Sequence, residues 1–569
     1  MHALRLASCA LVVCWATGCS EKAPEANRAP APEPADASAP PAVLSTEYLG
    51  PLVGEDATLH PDNLEPDRIA YYGTDLGFTY RHGDRLEILF GDTWATEQYA
   101  PIEASSGARL DDSFGSIDLD AWSDPTHISA TNMPLVRLGQ NPGTSEAAAI
   151  DPGHAMDLGK TPMGGFSAGD AEFGVFNITK PRACTGDAEC SDGLACDTTF
   201  GYIGVRSSVE EQFTLPCRDG APGCDAATMV DAAGTAVPDS GFCADPSSVL
   251  ADGPVSGLLN PVALRVRIGL RDPATPKKYG HAHDWLTNKF MNVTVRTVER
   301  FDPATAANRS EQNYRPATGT GASQRVFLWG RPGFVGVAAN GRSLPLYFAY
   351  LDLPTGAGYE WTPHYFTGVV DGVPQFSTNQ REAAPVDLDA TRDGVQADEP
   401  IDIVNQMSVA WIEPLDKWVM FYGGGLSTLP TQALPLCGVT QLFTGGECEA
   451  VVVGNGAVRM RTADAPWGPW TPPQDVIVAG DPADGPHDQY GPGGALRHPD
   501  CTEPTCAPPS EMFAYQAGEY GFFYSANIIT EWVRPVGNDV EILWNASTWD
   551  PYRVVLLRTH LSRQGESRP

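Results

Sequence analysis

The chain is written in short apolar runs that double back on themselves. QMSVAWIEPLDKWVMFYGGG (406–425) sets two runs around Pro414-Leu415-Asp416, and VEILWNASTWDPYRVVLLRT (540–559) sets two around Ser547–Pro551. RLEILFGD, ALRVRIGL, NVTVRTVERF, SQRVFLWG, LPLYFAYLDL and AVRMRTA repeat the pattern along the chain. Each run is rich in Val, Ile, Leu and aromatic residues and bounded by Gly, Pro or Asp, as strands joined in hairpins are. No segment keeps helical periodicity for more than about ten residues. Hairpins continued over roughly 500 residues predict radial repetition, an all-β β-propeller, because a sandwich splits before it grows so large. The 58 Gly and 50 Pro among 569 residues suit the many turns this needs. No crisp repeat motif fixes a blade count.

The propeller is expected over 48–563, leaving 1–47 and 564–569 outside it. MHALR followed by LASCALVVCWA reads as an export leader, 1–19, too short to span a bilayer. ATGC, ending in Cys19, has the form of a bacterial lipobox, in which Cys19 becomes the lipidated N-terminus. Ser20 is not the Asp that retains lipoproteins at the inner membrane, so the expected location is the outer membrane, facing the periplasm or the cell surface. Residues 20–47 contain SEKAPEANRAPAPEPADASAPPA, which has nothing to bury and reads as a tether. Residues 564–569 are expected to form a disordered tail.

Ten of the 13 cysteines follow the leader, an even number in an exported chain, and predict disulfides. Cys437 with Cys448, and Cys501 with Cys506, are local pairs. Cys184, Cys190, Cys196, Cys217, Cys224 and Cys243 fall in a Gly- and Asp-rich stretch, 181–250, read as a stapled insertion in a propeller loop. Their connectivity is open, since six cysteines allow about 15 pairings. Structural zinc is the other chemistry for such a cluster, but its CxxC spacing is absent.

With 71 acidic and 37 basic residues the chain carries a formal charge of −34, which repels nucleic acid and leaves neutral polymers such as glycans. Against that background GTDLGFTYRHGDRLEILFGDTW (73–94) stands out. It is a hairpin turning at His82-Gly83-Asp84, with Asp75 and Asp92 at its open ends. Cross-strand neighbours lie about 4.5–5.5 Å apart at Cα. The two carboxyls therefore come within the range that glycosidases place around a scissile bond, about 5–9 Å. Two such groups resist joint ionisation, which makes one an acid beside a base. The competing reading is that both aspartates cap strand ends.

Further candidates for sugar contact are Tyr72 and Trp94, whose rings can stack on a sugar face, with Asp112, His127, Asp170, Gln406, His487 and Tyr490. Trp418, Trp470 and Trp549 read as blade packing. His281 and His283 share a strand face near Asp284, an arrangement that can hold a metal, although a wet loop explains it as well. No metal or other cofactor is expected, and no GxSxG, P-loop or dinucleotide motif competes.

Several segments, in order, resemble glycoside hydrolase family 183. YYGTDLGFTYRHGDRLEILFGDTW is similar to that family's opening tDlG…lFGDt pattern. TPMGGFSAGDAEFGVF, LPLYFAYLDL, YEWTPHYFTG and NQMSVAWIEPLDKWVMFYGGG follow, then RMRTADAPWGPWTPPQ and STWDPYRVVLLRTHL. The resemblance covers 48–563 apart from the Cys-rich insertion. It implies a five-bladed β-propeller acting as an endo-D-arabinanase on mycobacterial arabinogalactan and lipoarabinomannan, with inversion. It also implies that Asp75 and Asp92 are the catalytic acids. Where relatives carry Glu before the SV hairpin, this chain has Asn405-Gln406-Met407-Ser408, and with the insertion this departure puts the substrate in question. The expectation is a monomeric lipoprotein glycosidase acting on a polysaccharide. The alternatives are a non-catalytic glycan binder on the same wheel, or a hydrolase of another furanoside.

Overall fold

The run Arg85–Thr93 shows why these segments are strands stacked between others. Leu86, Ile88 and Phe90 are buried on one side with Leu543, Val554 and Leu556, while Leu89 is buried on the other with Phe176 and Tyr279. A strand covered on both faces keeps few polar residues, and each buried Leu, Ile or Phe contributes about 1.5–3 kcal/mol. Glu87 is the exception on this strand, and its charge meets a buried arginine from the next blade.

A computed structural model describes residues 40–54, 73–94, 111–139, 148–153, 161–204 (except 192 and 198–199), 214–218, 241–245, 263–299, 324–332, 345–353, 359, 361–386 and 388, 406–423, 433–436, 449–452, 457–479, 489–497, 522–549 and 551–563. (Residue 387 is not among them.) The leader, most of the tether, the tail, Cys19, Tyr72, Cys224, Cys437, Cys448, His487, Cys501 and Cys506 lie outside this set, as do the side chains of Cys217 and Trp549.

Five antiparallel sheets form a five-bladed β-propeller. The N-terminal strand β1 (Val43–Gly54) is held back for the last blade. Blade 1 is β2 (Phe78–His82), β3 (Arg85–Thr93), β4 (Asp111–Asp118) and β5 (Arg137–Leu138). Blade 2 begins with β6 (Pro162–Ala168) and β7 (Ala171–Pro181). An insertion follows: β8 (Ala183–Cys184), β9 (Ala195–Asp197), β10 (Phe200–Gly204), β11 (Thr214–Arg218) and β12 (Gly241–Ala244). Blade 2 then resumes as β13 (Leu264–Asp272) and β14 (Thr275–Thr287). Blade 3 has five strands, β15 (Asn292–Glu299), β16 (Gln324–Arg331), β17 (Tyr347–Leu353), β18 (His364–Val370) and β19 (Val373–Ser377). Blade 4 is β20 (Met407–Ile412) and β21 (Lys417–Gly423), a separate hairpin β22 (Ala433–Leu436) and β23 (Glu449–Val452), then β24 (Val458–Ala463) and β25 (Gln474–Ile477). Blade 5 is β26 (Phe522–Val536), β27 (Asp539–Trp549) and β28 (Arg553–Ser562), completed on its outer edge by β1.

The innermost strands β2, β6, β15, β20 and β26 neighbour one another in a closed cycle. Near the axis, Arg296 of β15 donates to Val409 O, Ser408 Oγ and Ile528 O, tying blade 3 to blades 4 and 5. Each blade interface has its own apolar core, five in all. Trp418 and Trp470 are buried in the one between blades 3 and 4, as expected of packing residues.

Two expectations need correction. Residues 43–47 belong to β1 and not to the tether; three register shifts along β1 hide its alternation. The insertion is also more strand-rich than its composition suggested. Its strands form one two-stranded and one three-stranded sheet, stapled by Cys184–Cys196 and Cys190–Cys243. Asp245, buried just after β12, faces Lys289 Nζ at 3.9 Å and Arg381 Nε at 3.5 Å, which ties the lobe to the elements flanking blade 3.

Candidate active site

The hairpin of blade 1 forms with the register its sequence suggests. Phe78 pairs with Leu89, and the same register continues past β2 to the bridge Gly73↔Trp94 and the Thr74 Oγ1···Thr93 Oγ1 hydrogen bond of 2.8 Å. Asp75 falls inside this stretch, its carbonyl accepting from Gly91 N, the residue next to Asp92. On the next strand Asp92 pairs with Asp112, beside a register shift. Three aspartates thus stand in a row at the rim where the innermost strands begin, here called the upper rim.

The chain enters β2 through a bend that only a few residues can make. Leu76 (φ 64°) and Gly77 (φ 65°) both adopt left-handed backbone, and a Cβ on Gly77 would lie 2.8 Å from Val554 Cγ1. Blade 5 holds the bend in place. Ser525 Oγ (3.0 Å) and Asn527 Nδ2 (2.9 Å) donate to Leu76 O, and Asn545 Nδ2 (3.0 Å) donates to Gly77 O. The Asp75 carbonyl accepts from Gly77 N at 2.9 Å and Gly91 N at 3.0 Å.

The Asp75 side chain is 8% exposed. Tyr524 OH donates to its Oδ2 at 2.9 Å, and the Tyr552 hydroxyl reaches the same carboxyl. Gly91 leaves room for the other oxygen, since a Cβ there would collide with Asp75 Oδ1. Burial pushes the Asp75 carboxyl up to about 7, and the hydrogen bonds from Tyr552 and Tyr524 oppose that rise. Asp92 is half-buried, and its charge, with that of Asp75, helps hold both tyrosine hydroxyls well above their ordinary value, an effect led by their burial. The two carboxyls and the two phenols thus form one electrostatic unit. Such a unit can hold a proton on Asp75 near neutral pH, with half-buried Asp92 beside it.

Other candidates fall around this unit or away from it. Asp112 is buried in the row, and Trp94 is buried in the apolar cluster with Leu76, Tyr524 and Tyr552. Gln406 precedes β20 at the upper rim, buried, and its Oε1 has no hydrogen-bond partner among the described residues. Asp170 sits in the β6–β7 turn beside Gly169 (φ 60°), at the opposite, lower rim. His127 is exposed in the short 3₁₀ turn Pro125–His127 beyond β4, also at the lower rim, 3.7 Å from Asp124. Tyr490 is fully buried in the core between blades 4 and 5, so its ring packs against apolar neighbours and does not face a cleft. These three positions correct the expectation that Asp170, His127 and Tyr490 line the site with Asp75.

His281 Nε2 lies 3.4 Å from Asp284 Oδ1, but His283 does not join them at metal-ligand spacing among the described residues. Asp284 is engaged by Arg267 at 2.9 Å, and His283 stacks on Trp361 with ring centroids 6.1 Å apart. Among the described residues the one cluster with metal-compatible spacing is Cys184, Cys190 and Cys243, whose sulfurs are spent in disulfides.

Sequence reasoning missed Tyr524, Tyr552, Ser525, Asn527 and Asn545. The available signal was polar side chains at strand-interior positions, Asn527 in β26 and Asn545 in β27, where alternation calls for apolar ones.

No family model matches the chain, and no curated protein is similar to it. Among solved structures, the chain is similar to a putative hydrolase from Bacteroides ovatus at 9% identity and a TM-score of 0.36, over 88% of this chain and 89% of that one. It is also similar to exo-beta-1,3-galactanase from Phanerochaete chrysosporium with bound beta-1,3-galactotriose, at 7% identity and a TM-score of 0.31, over 90% of this chain and 64% of that one. At those scores the likenesses are distant, and they carry no argument about chemistry.

Proposed function

We propose that the protein is a glycoside hydrolase that cuts arabinofuranosyl linkages in a cell-wall polysaccharide such as mycobacterial D-arabinan. Asp75 serves as general acid and Asp92 as general base. The observation that carries this reading is the Asp75 carboxyl, which burial holds to about 7, across the hairpin from half-buried Asp92. An acid that keeps its proton near neutral pH can protonate a leaving sugar oxygen, and an open carboxylate can take the proton of an attacking water. A single displacement by that water inverts the anomeric centre and needs carboxyls about 6.5–9.5 Å apart. The ordered motifs shared with family 183 support the choice of a D-arabinan. Gln406 Oε1 offers an acceptor for a sugar hydroxyl. Lipidation at Cys19 would hold the wheel at the outer membrane, and a neutral arabinan meets no penalty from the net charge of −34.

The test is incubation of the protein with D-arabinan, with oligosaccharides detected at their reducing ends and the first-formed anomer read by NMR. Release is expected, with inversion, and Asp75→Asn or Asp92→Asn should each lower it by about 10²–10⁴-fold while polymer is still retained. Retention of uncut polymer, indifferent to both substitutions, would establish a binder and overturn the proposal. Cleavage of L-arabinan or fructan in place of D-arabinan would keep the acid pair and replace the sugar.

A further inference from the structure

The lower rim, opposite Asp75, carries a cavity of about 350 Å³ between blades 1 and 2. The turns β2–β3, β6–β7 and β13–β14 surround it. We propose that this cavity is a second saccharide site, taking a single neutral, hydroxyl-rich sugar unit.

Its polar wall is built and held in place. Arg271 is 7% exposed, and its Nη1 donates to Glu172 Oε2 at 2.7 Å and to Glu87 Oε2 at 2.8 Å. Its Nε donates to Pro276 O at 2.8 Å, so the guanidinium plane is fixed before any ligand arrives. Glu172 is further held by Tyr80 OH at 3.2 Å and Arg85 Nη2 at 3.4 Å, with His82 Nε2 at 3.6 Å from its Oε1. Arg271, Arg85 and His82 therefore converge on the Glu172 carboxylate along one wall. Leu270, itself 40% exposed, Pro273 and Pro276 also line the cavity and add carbon surface. A lining that mixes polar groups with carbon suits a sugar ring, whose hydroxyls both donate and accept while its C–H face packs on carbon.

Charge narrows the ligand class. The two guanidiniums, Arg85 and Arg271, balance Glu87 and Glu172, so the inner wall is neutral. Asp170 and Asp272 stand at the mouth and repel anions. No three carboxylates at the cavity approach closely enough to chelate a metal ion, among the described residues. Against an anion or a chelated metal ion, a neutral polar molecule is the better fit. The size, about 350 Å³, lies near the lower end of small-ligand sites and suits one sugar ring. The inference does not depend on Asp75 being catalytic, because the two sites open on opposite faces.

The experiment titrates the full chain with methyl arabinofuranoside and, separately, methyl galactopyranoside by protein-observed NMR and calorimetry, with inorganic phosphate as a charged probe. Saturable binding of at least one glycoside is expected, with shifts confined to blades 1 and 2 at the lower rim. Asp170→Trp, which sets a bulky ring at a lining position of the exposed β6–β7 turn, should weaken it by about tenfold or more. Arg85→Met removes a half-exposed donor without opening the core and should weaken binding by a few-fold, about the worth of one hydrogen bond. Hydrolysis at the upper rim should be unchanged in both variants, which separates this site from the proposed catalytic one. Absence of saturable glycoside binding would overturn the proposal. So would binding that both variants leave intact, or phosphate bound as tightly as the sugars.

Discussion

Replacing Tyr524 with Phe removes one hydroxyl from Asp75 and keeps the ring in its apolar cluster. The lost contact is the buried 2.9 Å hydrogen bond to Oδ2. A phenol donating to a carboxyl favours the charged form, so its removal raises the Asp75 pKa further. A hydrogen bond to a charged group is worth about 1.5–3 kcal/mol, and one pH unit corresponds to about 1.4 kcal/mol, giving a rise of about one to two units. Tyr552 stays to share the load, which places the expected shift at the lower end, from about 7 to about 8. A general acid works while protonated, so activity is present below its pKa and is lost as pH rises through it. The alkaline limb of kcat/KM should therefore move upward by about one pH unit in Tyr524→Phe. Initial rates on D-arabinan fragments across neutral pH would show the limb, and carbon-13 NMR of labelled aspartate would follow the carboxyl itself. A merely structural role for Tyr524 would lower rates at every pH without moving the limb. An unmoved limb and an unmoved carboxyl titration would refute the assignment of Tyr524 as the group that tunes Asp75.

Asp75→Asn should stabilise the fold at alkaline pH while abolishing hydrolysis. The folded-state pKa is raised from 3.8 to about 7, so the native state holds the proton more tightly than the unfolded chain. That contribution is fully present below about pH 4 and is lost as pH rises through about 7. The gain in Asn, read by thermal denaturation, should approach about 4 kcal/mol at most near pH 8 and vanish near pH 4; equal melting shifts at both pH values would contradict it. Gly91→Ala would place a methyl against Asp75 Oδ1, with Leu76 Cδ1 at 2.6 Å, and should cost about 10²-fold in activity with the circular dichroism preserved. Undiminished activity in that variant would mean the carboxyl position is not critical. Cys190→Ser opens a link spanning 53 residues and should destabilise the lobe by about 4 kcal/mol, seen as faster limited proteolysis between 184 and 243. A cleavage rate equal to that of the parent chain would show that the Cys184–Cys196 bridge, the strand pairing and the Asp245 contacts hold the lobe without it.

The hairpins were legible because both faces of each blade are buried, which writes strands as apolar runs between Gly, Pro and Asp. The hairpin that brings the segments of Asp75 and Asp92 side by side was legible for the same reason, since a tight turn at Gly83 sets its register. The direction each turn faces was not legible. Asp170 and His127 look like any rim residues in sequence, and only the order of strands within a blade sends them to the far side. Tyr490 reads as a loop aromatic in a Gly-Pro-rich stretch, yet the core between blades 4 and 5 takes it. The partners of Asp75 were beyond reach, because Tyr524 lies 449 residues away and no local pattern spans a closed ring. β1 escaped notice because it borders a Pro- and Ala-rich segment and pairs with a strand at the other end of the chain.

The bend before β2 and the Asp75 carboxyl are both finished by side chains between 524 and 552, from the last blade to leave the ribosome. That gives the protein a built-in delay. A chain clipped short of its C-terminal hairpins keeps the aspartate but lacks the phenols that seat it. The Asp75 carboxyl is then seated in a single step, when the ring closes and β1 pairs with β28.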